Sequence, residues 1–285
     1  MKKILLATTM LVGTAGFAAA EVTLSGNGRM GVTYNEATVG NEVAFNSRVR
    51  ASISMSSETD GGLSFGGSFG VHDADDGDNA GADEGLAGSV YIEGAFGKLS
   101  MGDVSSAAEN AVGDLYGVGY TGIGDGNEMT YITTGDNEMA LYSYSAGAFT
   151  GFASVGQPGT GTETTFSIAG KYDTGTVAVS LGYEDNGVVD HIIGGVEGSF
   201  DAVKVKAIYG SASDLNFDQY GLSVSYTADA LGLRAYYLET DTAGVKAQNW
   251  GLGASYDLGG GATLAGGIAD INGNSRADLG VNLSF

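Results

Sequence analysis

The feature that most constrains this chain is its last segment, residues 277–285, in which apolar and polar residues alternate up to a final Phe285. A period of two is the pattern of a β-strand with one apolar and one polar face. An aromatic last residue without a polar tail is typical of a membrane-spanning barrel, in which the final strand pairs with the first and an aromatic lies at the membrane interface. We therefore predict a closed β-barrel.

The first 20 residues have the parts of a secretory signal peptide. Two lysines precede an apolar stretch from residue 4 to residue 17, and three alanines precede Glu21. A transmembrane helix anchor is the competing interpretation, but the stretch is short and interrupted by glycine, whereas a span needs about 20 apolar residues. We expect residues 1–20 to be removed after Sec-type export, and residues 21–285 to form one barrel domain without a membrane-spanning helix.

Composition narrows the function classes. The chain has 50 glycines, one proline and no cysteine, which indicates many strands and turns and excludes disulfides, thiol catalysis and thiolate metal sites. Without the two lysines of the signal peptide, 10 of the 12 basic residues remain beside 34 acidic ones. Because phosphate binding needs a basic face, we expect no nucleic-acid partner.

Turn signals predict the strand number. Seven short turns rich in glycine and aspartate, which tolerate positive φ, alternate with eight longer connections. This predicts an all-β, 16-stranded antiparallel barrel with both termini at the short-turn end, wide enough for an aqueous channel. The longer connections are predicted near residues 36–42, 73–86, 103–137, 155–163, 185–188, 211–217, 240–247 and 270–275.

Aromatic residues predict how the barrel meets the membrane. One aromatic stands beside each short turn or at the C-terminus, as an interfacial girdle requires. A secreted, soluble acidic β adhesin is the alternative from another class, and it would scatter aromatics along the middles of its strands. The predicted girdle consists of Phe65, Phe96, Phe149, Tyr172, Phe200, Tyr226, Tyr256 and Phe285.

The basic residues are the candidates for chemistry in the channel. Strand phase predicts that eight of them point into the lumen, with Lys98 in a turn and Lys246 in a loop. Four of the eight, Lys171, Lys204, Lys206 and Arg234, lie close to short turns. The other four lie deeper, on the first, second and sixteenth strands, which become neighbours when the barrel closes. We therefore predict one basic patch at Arg29, Arg48, Arg50 and Arg276.

The longest connection, residues 103–137 between the fifth and sixth strands, is the candidate partner of this patch. A connection of this length in a compact fold is uncommon unless it has a function. Its apolar pieces, residues 111–112, 115–116 and 118, give it a reason to pack against the barrel wall. Facing opposite charges across a narrowed lumen would orient solutes and tune ion preference. The acidic side of this constriction is predicted at Glu109, Asp114, Asp125 and Glu128.

Other motifs do not support a different function. The glycine pattern of residues 26–31 fits a dinucleotide fingerprint, but an alternating strand follows where a helix is required. Residues 73–84 place glycine at the wrong position for an EF-hand calcium loop. His72 and His191 each stand at a strand edge without a cluster of ligands or nucleophiles, so we interpret both as solvated.

Several segments together resemble one family: residues 21–26, 94–103, 113–121, 141–149, 251–261 and 277–280. The chain resembles the trimeric general diffusion porins of Gram-negative outer membranes, closest to the alphaproteobacterial sixteen-strand type. The resemblance implies a water-filled channel for passive diffusion of ions and small hydrophilic solutes, without a reaction or a required cofactor. It also implies a homotrimer assembled through the wall of the first strands, surrounded by outer-membrane lipid and lipopolysaccharide. A solute-specific porin remains the alternative within this class.

The resemblance also extends to individual residues. It implies that residues 113–121 belong to the third external loop, which folds into the pore as its constriction. Arg29, Arg48 and Arg50 match the barrel-wall arginines of the family, whereas Arg276 is added from strand phase and depth alone. Because some members bind Ca²⁺ at acidic loop sites, a structural Ca²⁺ at Asp103 and Asp114 is a further expectation.

Overall fold

The computed structural model describes residues 20–72, 85–133, 139–156 and 164–285. Sixteen antiparallel strands form one closed barrel, in which each strand pairs with its neighbours in the sequence and β1 pairs with β16. The predicted 16-stranded all-β barrel is confirmed. The strands are β1 (Glu21–Asn35), β2 (Val43–Glu58), β3 (Ser64–His72), β4 (Gly85–Gly94), β5 (Gly97–Gly102), β6 (Met139–Ala146), β7 (Phe149–Gly156), β8 (Phe166–Asp173), β9 (Val177–Asp185), β10 (Asp190–Phe200), β11 (Val203–Ala212), β12 (Phe217–Ala228), β13 (Leu231–Thr242), β14 (Val245–Gly259), β15 (Ala262–Ile271) and β16 (Asn274–Ser284).

The barrel closes by pairing of its first and last strands, as the C-terminal alternation predicts. The pairing of β1 with β16 runs from Asn27 opposite Ser284 to Asn35 opposite Arg276. The backbone N–H of Phe285 donates to the carbonyl of Gly26 at 2.8 Å. Closure leaves no free sheet edge, which is the condition for a sheet to cross a bilayer.

The connections differ at the two ends of the barrel, which we name the terminal end, where β1 begins and β16 ends, and the loop end. The first connection at the loop end, residues 36–42, is as predicted. The predictions for 240–247 and 270–275 are wrong, because β13–β14 and β15–β16 are joined by two-residue turns, Ala243–Gly244 and Asn272–Gly273, with positive φ. The polar residues around these turns belong to strand ends at the rim of the barrel. Polarity alone does not distinguish such a strand residue from a loop residue.

The two faces of the wall have different chemistry. On one face, large apolar side chains are exposed over the whole circumference, for example Leu24 at 72% and Leu181 at 62%. All eight aromatics of the predicted girdle are exposed near the terminal end, so that prediction is confirmed. The opposite face carries the arginines and most of the buried polar residues. In the described part of the chain, no helix is both long and apolar enough to cross a bilayer.

The buried core lies between the long connection and the barrel wall. Helix α1 (Ala107–Val112) starts at Ser106, whose side chain accepts from the backbone N–H of Glu109. We did not predict this helix, although serine followed three residues later by glutamate is the signature of a capping box. A short 3₁₀ turn, Ser213–Leu215, is the other helical element described. The loop side of the core consists of Ala107, Ala108, Ala111, Val112, Leu115, Val118, Ile123, Met129 and Tyr131, and the wall side of Ala169, Ile193, Ile208, Tyr236, Leu238 and Ala269.

Candidate functional site

The described part of the long connection, residues 103–133, packs against the inner face of the barrel. Its polar contacts include Ser154 on β7, Glu184 on β9, Gln219 on β12 and Asp278 on β16. These wall residues alternate with the exposed apolar ones along their strands. One segment can contact this face of strands from β7 to β16 only from the space that the barrel encloses. The connection therefore narrows the lumen.

Glycines in the strands make this packing possible. A Cβ added at Gly182 would lie 2.6 Å from the Cβ of Ala108, and one at Gly221 would lie 2.6 Å from Cδ1 of Leu115. Because glycines carry no side chain, the loop's apolar side chains contact the backbone of the wall directly at these positions. Our sequence analysis predicted no packing role for glycines inside strands, so it missed this use.

The tip of the loop, residues 120–125, is attached to β16 and β1. The backbone N–H and the hydroxyl of Thr121 both donate to Oδ2 of Asp278, at 2.8 and 2.7 Å. The ring of Tyr120 covers two paired inward glycines, since a Cβ at Gly31 would lie 2.7 Å from its Cζ and one at Gly280 would lie 2.8 Å from it. The tip is therefore pressed against the seam where the barrel closes.

The four predicted arginines lie around one cavity at this seam. Arg29, Arg48, Arg50 and Arg276 line it together with loop residues 121 and 123–125. Arg29 stands directly opposite Arg48 in the pairing of β1 with β2, and Arg50 follows on the same face. Such a concentration of cations in one cavity produces a strongly positive local potential.

Three of the four predicted acids lie around a second cavity. Glu109, Asp114 and Glu128 line it with residues 129–131, whereas Asp125 lies in the arginine cavity. Burial raises the pKa of Glu109, Asp114 and Glu128, and the pKa of Glu109 and Glu128 is raised further by neighbouring carboxylates. Repulsion among these acids is offset in part by Lys206, whose Nζ donates to the carbonyl of Asp114 at 2.7 Å.

The two ends of the described loop, which we call its root, meet at one wall carboxylate that our sequence analysis did not identify. Glu184 accepts hydrogen bonds from the hydroxyls of Ser106 and Thr133, at 2.9 and 2.5 Å, and from the backbone N–H of Ile132 at 3.0 Å. Its fourth partner is Nδ1 of His191 at 2.9 Å. The alternation of β9 could have shown that Glu184 points inward, but nothing local shows what covers it.

Comparison with known proteins agrees with this geometry. The sequence pattern of Gram-negative porins matches residues 7–276. The chain belongs to the Gram-negative porin family. It is 39% identical to a porin of Rhodobacter capsulatus over 311 aligned residues, covering 93% of this chain and 100% of that protein. A porin of Fuscovulum blasticum is 26% identical, with the same coverage of both chains.

Solved porin structures have the same fold. A porin refined at 1.8 Å resolution superposes with a TM-score of 0.79 at 36% sequence identity, covering 93% of this chain and 100% of that one. A triple mutant of the Rhodopseudomonas blastica porin has a TM-score of 0.78 at 24% identity, which shows the fold alone. As a Gram-negative porin, the chain is an outer-membrane channel for ions and small hydrophilic solutes and not an enzyme, which excludes a soluble adhesin.

Three predictions about other residues of the porin are wrong. His191 is not solvated, because its side chain is fully buried between Glu184 and Gln219 under the loop. Lys98 lies in β5 and not in a turn, with Nζ 4.2 Å from the centre of the Tyr91 ring. Lys246 lies in β14 and not in a loop, and it contacts Glu239. The side chain of His72 lies outside the described residues.

The predicted calcium site has a poor set of ligands in the described part of the porin. No group of three acidic or histidine side chains there is placed to hold a metal ion. The carboxylate of Asp114 accepts the backbone N–H of Met129, and its carbonyl oxygen accepts from the Lys206 ammonium. The ammonium of Lys206 therefore already lies beside Asp114.

Proposed function

We propose that the arginine cavity and the loop acids form the charged constriction of the porin channel. Its basic side is Arg29, Arg48, Arg50 and Arg276, and its acidic side is Glu109, Asp114, Asp125 and Glu128. The observation that carries the proposal is that the tip of the loop and all four arginines line one cavity. Solutes that pass this cavity lie between fixed charges in a narrow lumen, where charge preference is set.

The two charge groups act in opposite directions on passing ions. The chain carries 34 acidic residues against 12 basic ones, which favours cations at the mouths of the channel. The arginines at the constriction oppose this preference locally. We therefore expect a weak overall preference whose sign depends on the arginines.

Removing two arginines tests this assignment. We expect the double variant Arg48→Gln, Arg50→Gln to shift the reversal potential under a salt gradient towards cation selectivity, because two positive charges leave the cavity. A planar-bilayer measurement on single channels gives this potential. A reversal potential equal to that of the unmodified porin would contradict the assignment.

Lys246→Gln is the matched control for the charge itself. Lys246 lies on the lipid-facing side of the wall, where it forms a 2.6 Å ion pair with Glu239. Its removal also takes away one positive charge, but outside the lumen. We expect the reversal potential of this variant to stay unchanged.

The assembly is part of the same proposal. We expect a homotrimer held through the outward face of the first strands, in contact with outer-membrane lipid and lipopolysaccharide. What supports it is the exposed apolar surface of these strands, for example Val22, Met30 and Val49. Conductance steps in groups of three and cross-linking of the unboiled protein would test the trimer. A structural Ca²⁺ at Asp103 and Asp114 stays a prediction, which calcium titration followed by heat-modifiable migration would test.

A further inference from the structure

A row of polar residues crosses the inner wall beneath the root of the loop. Ser154 on β7 stands directly opposite Ser167 on β8, which stands opposite Glu184 on β9, which stands opposite His191 on β10. All four are buried, and Gln219 on β12, buried as well, contacts the imidazole of His191 at 3.1 Å. We call these five residues the docking row.

The first part of the docking row binds the start of the loop. The backbone N–H of Ala107 donates to Oγ of Ser154, and that of Ala108 donates to Oγ of Ser167, both at 2.9 Å. These are N–H groups of the first turn of α1, which have no partner within a helix. The wall therefore supplies hydrogen-bond acceptors for the first turn of the loop's only described helix.

The centre of the row joins the start of the loop to its end. Glu184 accepts from Ser106 at the start and from Ile132 and Thr133 at the end. Four hydrogen bonds, including that from His191, converge on this carboxylate, and the backbone N–H of Ile132 among them can only donate. These hydrogen bonds stabilise the ionised carboxylate, whose lone pairs hold both limbs of the loop.

The far part of the docking row, Gln219, fixes which nitrogen of the His191 imidazole faces Glu184. Gln219 accepts from the backbone N–H of Thr130 at 2.8 Å and donates to the carbonyl of the same residue at 2.7 Å. This pairing determines which atom of the amide is nitrogen, so its second N–H points to Nε2 of His191. Nε2 of His191 therefore accepts this N–H, and Nδ1 is the ring nitrogen that donates to Glu184.

We propose that Glu184 is a positioning residue that holds the constriction loop against the wall and thereby sets the open width of the pore. The inference rests on the proposed function, because it assumes that the loop is the constriction. In Glu184→Gln the remaining oxygen can stay with Ile132 and His191, but the NH₂ group then faces the hydroxyls of Ser106 and Thr133. Both buried hydroxyls must accept from it and lose the acceptor for their own protons. The root of the loop is then held less firmly, and it can move away from the wall into the lumen.

The test compares Glu184→Gln with Glu239→Gln in single-channel recordings. Glu239 is a matched control, since it is also a nearly buried carboxylate with four donors, Tyr220, Tyr237, Lys246 and Gln248, but on the lipid-facing side. We expect Glu184→Gln to lower the mean conductance about twofold and to add brief closures, because a loop released into the lumen obstructs it. We expect Glu239→Gln to conduct like the unmodified porin.

Two results would overturn the proposal: unchanged conductance and current noise in Glu184→Gln, or equal changes in both variants. Conductance and noise report loop position, whereas loss of thermal stability alone moves neither. Failure of the proposed function is separate, since it appears as an unshifted reversal potential in the arginine variant.

A second variant covers the case in which Glu184→Gln does not fold. Thr133→Val removes the hydroxyl that donates to Glu184 from the end of the loop and leaves the carboxylate in place. We expect the same brief closures with a smaller loss of conductance. A recording without added closures in this variant would equally overturn the proposal.

Discussion

The root and the tip of the long loop are attached to the barrel in different ways. The root binds the docking row through a buried, fully hydrogen-bonded network with one charge, Glu184. The tip lies beside four arginines and is attached by Asp278 and by the packing of Tyr120 on glycines. A buried network of this kind is rigid, and a polar group left without its partner there is costly. The difference separates two tasks, since the root fixes where the loop lies and the tip supplies charge where solutes pass.

The largest effect is expected from a side chain placed under the tip. In Gly31→Val, the added Cβ would lie 2.4 Å from the carbonyl oxygen of Leu279 and 2.7 Å from Cζ of Tyr120. The first contact is with backbone, so the pairing of β1 with β16 must open and the barrel cannot close as it does. We expect loss of heat-modifiable migration in SDS gels.

Gly28→Ala is the control on the same strand. A Cβ there would lie 3.5 Å from its nearest neighbour, the carbonyl oxygen of Arg48, which is an ordinary contact. We expect this variant to migrate like the unmodified porin. If Gly31→Val also folds and migrates normally, the close packing described for the tip is wrong.

A smaller effect is expected from Asp278→Asn. Its carboxylate accepts two hydrogen bonds from Thr121 and lies two residues from Arg276 on the same face. Loss of the charge weakens hydrogen bonds of a type that contributes about 1.5–3 kcal/mol each, and it leaves the arginines with less opposing charge. We expect the reversal potential to shift towards anions, the opposite sign to the arginine variant.

Asp218→Asn is the matched control for Asp278→Asn. Asp218 also accepts from a hydroxyl, that of Tyr209 at 2.7 Å, but on the lipid-facing side of β12. We expect no change in its reversal potential. Equal shifts in the two variants would mean that the effect comes from net charge and not from the tip.

The same contrast explains what the sequence could predict. Alternation, turn residues and strand phase are local patterns, and they gave the sixteen strands, the inward arginines and the aromatic girdle. The docking row depends on the register of neighbouring strands, such as Ser154 opposite Ser167, and on loop residues up to 78 positions away in the sequence, such as Ser106 for Glu184. His191 was misread for the same reason, because the loop residues that bury it lie about sixty positions earlier in the chain. The seam beneath Tyr120 depends on glycines that look like any others in the sequence.

The smallest effect is expected from mild acidification, which acts on the three loop acids between the root and the tip, Glu109, Asp114 and Glu128. Burial raises the pKa of Glu109, Asp114 and Glu128, so these acids lose their charge as pH falls towards, but still above, the ordinary carboxyl range of about 4.3. The arginines are then opposed by fewer carboxylates, and the reversal potential should move towards anions. Because these raised pKa values belong to the docked loop, protonation stabilises docking over this range, so current noise should not increase. The pH-dependent shift in reversal potential should be smaller in a Glu109→Gln, Glu128→Gln variant. A shift of the same size in that variant, or a shift accompanied by new closures, would mean that the pH response comes from the root and not from these acids.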